Sequence, residues 1–145
     1  MFSAPIAQPS FRSRQFASTY HQVGVQTMVA SATAHGLVML LFDGFVAAVN
    51  RAKGALHQRD VHAKGQAIGS AVRIIDEGLR SALDLRGGGQ LATDLADLYA
   101  YVCKRLTQAN LHSDEAALDE CLTLVAPLRE AWAAIAEHAD APTRN

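Results

Sequence analysis

The side chains that most often do chemistry in proteins are scattered along this chain. Its six histidines lie mostly near predicted helix ends, and no Glu-x-x-His pair supports a di-iron site of the kind that helical bundles carry. His57 and His62 flank a turn, but two imidazoles without cysteine or carboxylate support make a weak metal site. The Gly87–Gly89 run lacks the Lys and Ser or Thr that follow in a phosphate-binding loop. We therefore expect no enzyme, no bound metal and no cofactor.

Composition indicates a single domain. The 145 residues are enough for a sizeable core, and because half are hydrophobic but only 6% aromatic, that core should consist of Leu, Val, Ile and Ala. The net charge of −1 argues against nucleic acid as a partner, since phosphate binding needs a basic surface. No signal peptide or membrane-length apolar run is evident. The free thiols expected at Cys103 and Cys121 fit a reduced compartment, so we expect a cytoplasmic protein.

Four amphipathic helices are predicted, because apolar residues recur at alternating steps of three and four. Thr33, Asp60 and Ser113 are the expected N-caps of the first, second and fourth helices. Pro127 lies in phase within the fourth apolar stripe and predicts a kink in that helix, not a break. Short turns join the helices, so the fold is predicted to be all-α, an antiparallel up-down four-helix bundle. The predicted helices run over residues 33–58, 60–85, 90–112 and 113–138.

Each predicted helix has one stripe of apolar residues that is expected to form the core. In the first two helices the stripes are Leu37, Leu41, Phe45, Ala48, Ala52 and Leu56, then Ile68, Val72, Ile75, Leu79 and Leu83. In the last two they are Leu91, Leu95, Leu98, Val102, Leu106 and Ala109, then Leu118, Cys121, Val125, Leu128, Trp132 and Ile135.

The two ends of the chain differ from its middle. Residues 1–32 contain prolines and isolated aromatics without a sustained helical stripe, and residues 1–19 among them are predicted to be mobile. Residues 20–30 include Tyr20, Val23 and Val25 and are predicted to form an extended strap that packs on the domain. This strap either covers part of a partner groove and leaves when the partner arrives, or caps the bundle permanently. The bundle is expected to occupy residues 33–139, and the polar tail 140–145 is expected to be frayed.

The helices carry more apolar residues than a simple bundle core needs. Two interpretations stay open: the extra residues thicken the core, or they line a surface groove for an apolar partner helix. Asp43, within an apolar run, either faces solvent or anchors a helix end or a partner's backbone. The apolar residues outside the stripes are Val38, Leu40, Phe42, Val49, Ile74, Tyr99, Tyr101, Leu122 and Leu124.

A family resemblance covers the chain from about Tyr20 to Trp132. Its order and spacing are specific, although no single piece is. Together these residues resemble the signature of the flagellar secretion chaperone FliS family. The matching residues are Tyr20–Val23, Leu40–Gly44, Asn50–Ala52, Gly88–Gly89, Leu95, Leu98–Tyr99, Tyr101, Arg105–Leu106, Ala109–Asn110, Leu118–Glu120 and Ala131–Trp132.

The resemblance implies a function in the bacterial cytoplasm. A FliS-like protein is expected to bind the disordered C-terminal segment of flagellin, to block premature polymerisation and to help delivery to the flagellar export gate. The segment Tyr20–Thr27 corresponds to the family's N-terminal strap, which overlies part of the binding surface. Resemblance and off-stripe position together give the partner-binding candidates Tyr20, Val23, Val25, Phe42, Ile74, Ile75, Leu79, Leu98, Tyr99, Tyr101, Val102 and Leu122.

A histidine phosphotransfer domain is the alternative with the same four-helix architecture. His35 would then be the phosphorylated residue. That motif expects a basic residue three positions after the histidine and a glycine at five, whereas Val38 and Leu40 stand there. His35 also falls in the first turn of the predicted helix, so the sequence favours the chaperone.

Overall fold

The computed structural model describes residues 33–140, with side chains described as far as Ile135. Within this range, the residues from Val38 onward form one compact unit. The predictions for residues 1–32 and 141–145 lie outside the described residues. The helices are α1, Ala34–His57; α2, Val61–Arg73, which continues as a π-helix over Ile74–Arg80; α3, Gly89–His112; and α4, Glu115–Asp140.

These helices pack together without a strand among residues 33–140, which confirms the predicted all-α four-helix bundle. The ion pair Asp43–Arg129 joins the early part of α1 to the middle of α4. A second pair, Lys53–Asp119, joins the late part of α1 to the start of α4. α1 and α4 are therefore antiparallel neighbours.

Two of the three predicted N-cap residues cap their helices in the structure. Thr33 and Asp60 each accept a hydrogen bond from the N–H group three residues on, at 3.1 Å and 3.0 Å. The prediction that Ser113 caps α4 is wrong, because Ser113 adopts a left-handed conformation (φ 50°) that closes the end of α3. Asp114, the next residue, stands before α4 instead, and its carboxylate accepts a hydrogen bond from the Ala117 N–H at 3.3 Å.

The second helix ends at Arg80, so the prediction that it runs to about Leu85 is wrong. Its last seven residues form a π-helix, whose wider turn departs from the 3.6-residue period on which the prediction relied. This segment lies close against α1: a Cβ on Gly78 would lie 3.0 Å from a methyl of Leu41. A Cβ on Gly44 of α1 would likewise lie 3.3 Å from Ile74. Glycine therefore permits the contact from both sides.

A tight loop over residues 81–88 leads into α3. The Asp84 carboxylate accepts hydrogen bonds from the N–H groups of Arg86 and Gly87, at 3.1 and 2.8 Å. A Cβ on Gly87 would lie 2.5 Å from that carboxylate, and a Cβ on Gly88 would lie 2.5 Å from the Asp84 carbonyl. Gly89 has a φ of +60°, which side-chain-bearing residues seldom adopt. The glycine run is thus required by this loop.

The core follows the predicted stripes along most of their length, with two kinds of departure. Phe42, Val49 and Tyr99 are buried although they lie off the stripes, so part of the apolar excess thickens the core. Conversely, Leu91 is 69% exposed and Ile135 is 51% exposed, and their assignment to the core is wrong. Both lie near helix ends. α4 continues through Pro127, so the helix is not broken there, as predicted, while the kink stays a prediction.

Both cysteines are free thiols, and they differ in burial. Cys121 is fully enclosed, and burial raises its thiol pKa to about 12, with a further contribution from the nearby Glu120 carboxylate. Cys103 is half-buried, and burial also raises its pKa. Since the thiolate is the reactive form, the folded protein should protect Cys121 from thiol reagents.

We expect a Cys103→Ser variant, which retains the thiol of Cys121, to react with a disulfide reagent at pH ~8 only as fast as it unfolds. The rate of thiol release, measured with and without guanidinium, checks this. A Cys121→Ser variant is the matched control and should react faster in the folded state. Rapid labelling of folded Cys103→Ser would contradict the burial of Cys121.

Candidate functional site

An apolar pocket of about 300 Å³ opens at one end of the bundle. All of its lining residues are hydrophobic, and they come from α1, the π-helix and its following loop, α3 and α4. We call this site the apolar pocket. Its lining residues are Val38, Phe42, Leu79, Ala82, Leu83, Leu91, Leu95, Tyr99, Leu128, Ala131, Trp132 and Ile135.

The pocket exists because the second helix stops before its neighbours do. The π-helix ends at Arg80 and the chain then turns through the loop over residues 81–88. The apolar stripes of α3 and α4 continue past this point without a fourth helix to cover them. Leu91 and Ile135, at the ends of those two stripes, are consequently exposed.

The chemistry of the pocket suits apolar side chains. No charged side chain among residues 33–135 lines it, and burial raises the pKa of the Tyr99 hydroxyl, so that hydroxyl stays neutral. Beside the pocket, the exposed carboxylate of Asp43 accepts a hydrogen bond from Arg129 Nε at 2.6 Å. This places Asp43 on the solvent face and also makes it an anchor between α1 and α4. The arrangement can hold hydrophobic groups, and no group of three metal ligands occurs among the described residues.

The structure brings three of the twelve predicted partner-binding residues into the pocket: Phe42, Leu79 and Tyr99. They line its wall from three different helical segments. Ile75 and Val102 are fully enclosed in the core, and a partner has no access to them in this conformation.

The other seven predicted residues do not line the pocket. Ile74, Leu98 and Leu122 are half-buried and pack against the core, while Tyr101 is exposed on α3. The remaining three are Tyr20, Val23 and Val25, which lie outside the described residues.

Sequence reasoning did not single out most of the pocket. Leu83, Leu91, Leu95, Leu128, Trp132 and Ile135 were assigned to core stripes, and periodicity places them on the correct helix faces. It does not show that these faces are uncovered near the helix ends. The Gly87–Gly89 run was the available signal, since it marks the side of the bundle where the second helix has already stopped.

A polar cluster on the outside of α3 and α4 holds these two helices together. The Tyr101 hydroxyl donates to one oxygen of the Glu120 carboxylate at 2.6 Å, and Arg105 Nε donates to the other at 2.7 Å. The hydrogen bond from Tyr101, followed by that from Arg105, lowers the pKa of Glu120. The tyrosine predicted to contact a partner thus has its hydroxyl engaged within the bundle.

Because its folded-state pKa is lowered, Glu120 should stabilise the fold above its ordinary pKa of 4.5, and this contribution should fade as the pH falls through the lower value. A Glu120→Gln variant should therefore melt below the wild-type protein at about pH 6, and the difference should narrow towards about pH 3. Thermal unfolding followed by circular dichroism measures it. Glu130→Gln, which removes a different negative charge from α4, is the control. A difference that widens towards acid pH would contradict this account.

Comparison with known proteins identifies the family. The sequence pattern of the family described as flagellar protein FliS matches residues 16–139, most of the chain. The chain belongs to the FliS family of flagellar secretion chaperones. The resemblance seen in the sequence is thereby confirmed.

Named relatives support this family assignment. The chain is 46% identical over 120 residues to the flagellar secretion chaperone FliS of Salmonella typhimurium, covering 83% of this chain and 89% of the relative. It is 38% identical over 113 residues to FliS of Escherichia coli, covering 78% and 83% of the two chains. FliSB of Pseudomonas aeruginosa is 39% identical over 113 residues, covering 78% of this chain and 89% of that relative. None of the helices described between residues 34 and 140 combines the length and hydropathy needed to span a membrane.

Proposed function

We propose that this protein is a cytoplasmic export chaperone that binds the disordered C-terminal segment of flagellin in the apolar pocket. Binding would keep flagellin from polymerising prematurely and would help to deliver it to the flagellar export gate. The observation that carries the proposal is the pocket itself, whose described lining is hydrophobic and has exposed leucine and isoleucine side chains at its rim. Membership in a chaperone family supports the same function.

The size and exposure of the pocket suit a segment that becomes ordered on binding. Its volume of about 300 Å³ accommodates a few bulky side chains and lies at the lower end for ligand sites. Each leucine-sized side chain that becomes fully buried contributes roughly 1.5–3 kcal/mol. Ordering a disordered ligand offsets much of the total. Firm but reversible binding is the expected balance, as an export chaperone requires.

We further propose that the strap predicted over residues 20–30 competes with flagellin for the apolar pocket. Its apolar residues suit the same lining, and the order of the chain favours this. Val38, which lines the pocket, follows the strap by only a few residues. A segment tethered this closely has a high effective concentration at the site.

Replacing Leu91 with Ser should weaken binding of a flagellin C-terminal peptide by about 10- to 100-fold, because the partner can no longer cover an apolar side chain. Titration calorimetry measures the affinity, and burial of apolar surface predicts a negative heat-capacity change. With a tryptophan-free peptide, Trp132, the one tryptophan of the chain, reports occupation of the pocket through its fluorescence.

Leu111→Ser is the matched control for this variant. Leu111 is 74% exposed, close to the 69% of Leu91, and lies at the opposite end of the same helix, outside the pocket. Its substitution should leave the affinity unchanged. Equal weakening by both substitutions would contradict binding at the pocket, and no binding at micromolar concentration to the wild-type protein would refute the flagellin proposal.

Removing residues 1–30 should strengthen binding of the same peptide, because the competing segment is then absent. Calorimetry on the full chain and on the shortened chain gives the ratio of affinities. An unchanged or weaker affinity would show that the segment does not compete for the site, and the apolar pocket would then be open to flagellin without its displacement.

A further inference from the structure

A second groove lies between α1 and α2, with a volume of about 830 Å³. It shares no residue with the apolar pocket. Gly54, which lies in it, follows Phe42 of the pocket by a distance of about 18 Å along α1. We call this second site the α1–α2 groove. Its floor consists of small residues, among them Gly54, Gly65 and Gly69.

The packing of the protein does not account for these three glycines. Gly44 and Gly78 are explained by close contact with Ile74 and Leu41, but a Cβ on Gly54 would meet no atom of the described residues within 4 Å. The nearest atom to a Cβ on Gly65 would be 3.9 Å away, and on Gly69 it would be 3.6 Å away, on the flexible Arg73 side chain. Alanine would fit at each position and would favour the helix. Among residues 33–135, only the flexible Arg73 side chain and the Asn110 amide come within 4 Å of these positions, so this bare floor has room for a partner.

The charges along the groove indicate what kind of partner fits. Its lining includes Arg51 and Arg73, and no carboxylate of residues 33–135 lines it. Arg73 donates to the Ser70 hydroxyl at 3.5 Å, and neither arginine has an ion-pair partner among the described residues. By contrast, Lys53 on the same helix is paired with Asp119. A partner that brings carboxylates would supply the counter-charges that the groove lacks.

We propose that the α1–α2 groove docks an acidic α-helical segment of a partner protein, at a site separate from the apolar pocket. The partner helix lies between α1 and α2, and its backbone approaches closely over Gly54, Gly65 and Gly69. Acidic side chains on that helix pair with Arg51 and Arg73. The groove is half polar, so recognition depends on charge and close approach, whereas the apolar pocket depends on hydrophobic burial.

The test uses a synthetic alanine-rich helical peptide carrying several glutamates, and a counterpart carrying lysines in their place. The full-length protein is titrated with each, and two-dimensional ¹H–¹⁵N NMR follows the amide signals of Gly54, Gly65 and Gly69. The glutamate peptide should shift these three signals and the lysine peptide should not. Equal shifts with both peptides, no shift with the glutamate peptide, or shifts confined to the apolar pocket would overturn the proposal.

Two variants separate docking from folding. The double variant Arg51→Glu, Arg73→Glu should bind the glutamate peptide about tenfold or more weakly than the wild type, while its affinity for the flagellin peptide stays unchanged. Replacing the three groove glycines with alanine should raise the melting temperature by about 5–10 °C and yet weaken docking. A glycine-to-alanine variant that binds the glutamate peptide as well as the wild type, or a charge-reversed variant that loses both peptides, would refute a separate docking site.

Discussion

The close contact between α1 and the π-helix determines where the bundle is complete and where it is open. The Leu41 side chain of α1 packs over Gly78, and the Ile74 side chain packs over Gly44 of α1, so each segment presents a glycine to a side chain of the other. Immediately beyond this contact the second helix ends at Arg80. The consequence is visible along α3, where Leu106 is fully enclosed while Leu91 is largely exposed. One local contact thus divides the same apolar stripe into buried core and exposed surface.

The parts of the fold that depend on local chemistry follow from the sequence. Apolar steps of three and four residues give the four helices, and the hydroxyl of Thr33 and the carboxylate of Asp60 mark two helix starts correctly. The left-handed Ser113 and the π-helix do not follow, because a neighbouring turn and a tertiary contact decide them. The choice between Leu98 and Tyr99 is of the same kind. Both are apolar and adjacent, so a small rotation of α3 determines which of them is buried.

The candidate site could be predicted from the sequence only in part. Phe42 and Tyr99 stand off the stripes and were singled out, and both line the apolar pocket. Trp132 and Leu128 lie on a stripe and were taken as core. Periodicity assigns a residue to a helix face, but it carries no information on how far along that face the neighbouring helix extends. That length was set by the unpredicted end of the second helix.

The two ends of the bundle are held by different forces, and this difference suits a chaperone. At the end away from the pocket, polar contacts join the helices: His57 pairs with Glu115 at 2.8 Å, and Lys64, only 4% exposed, donates to the Ser113 hydroxyl at 2.6 Å. Such directional contacts specify which helix ends meet, although exposed ion pairs add little stability.

At the pocket end, the lining surface is apolar and non-directional, so it can accept different side-chain arrangements of an incoming segment. Because the polar contacts near Lys64 do not involve the pocket, the proposed binding of flagellin there would leave the helix pairing at the other end in place. The proposed chaperone, whose ligand would be disordered before binding, would need this separation. The polar contacts would keep the helices paired when the pocket is empty, and the apolar lining would still be free to adapt to an incoming segment.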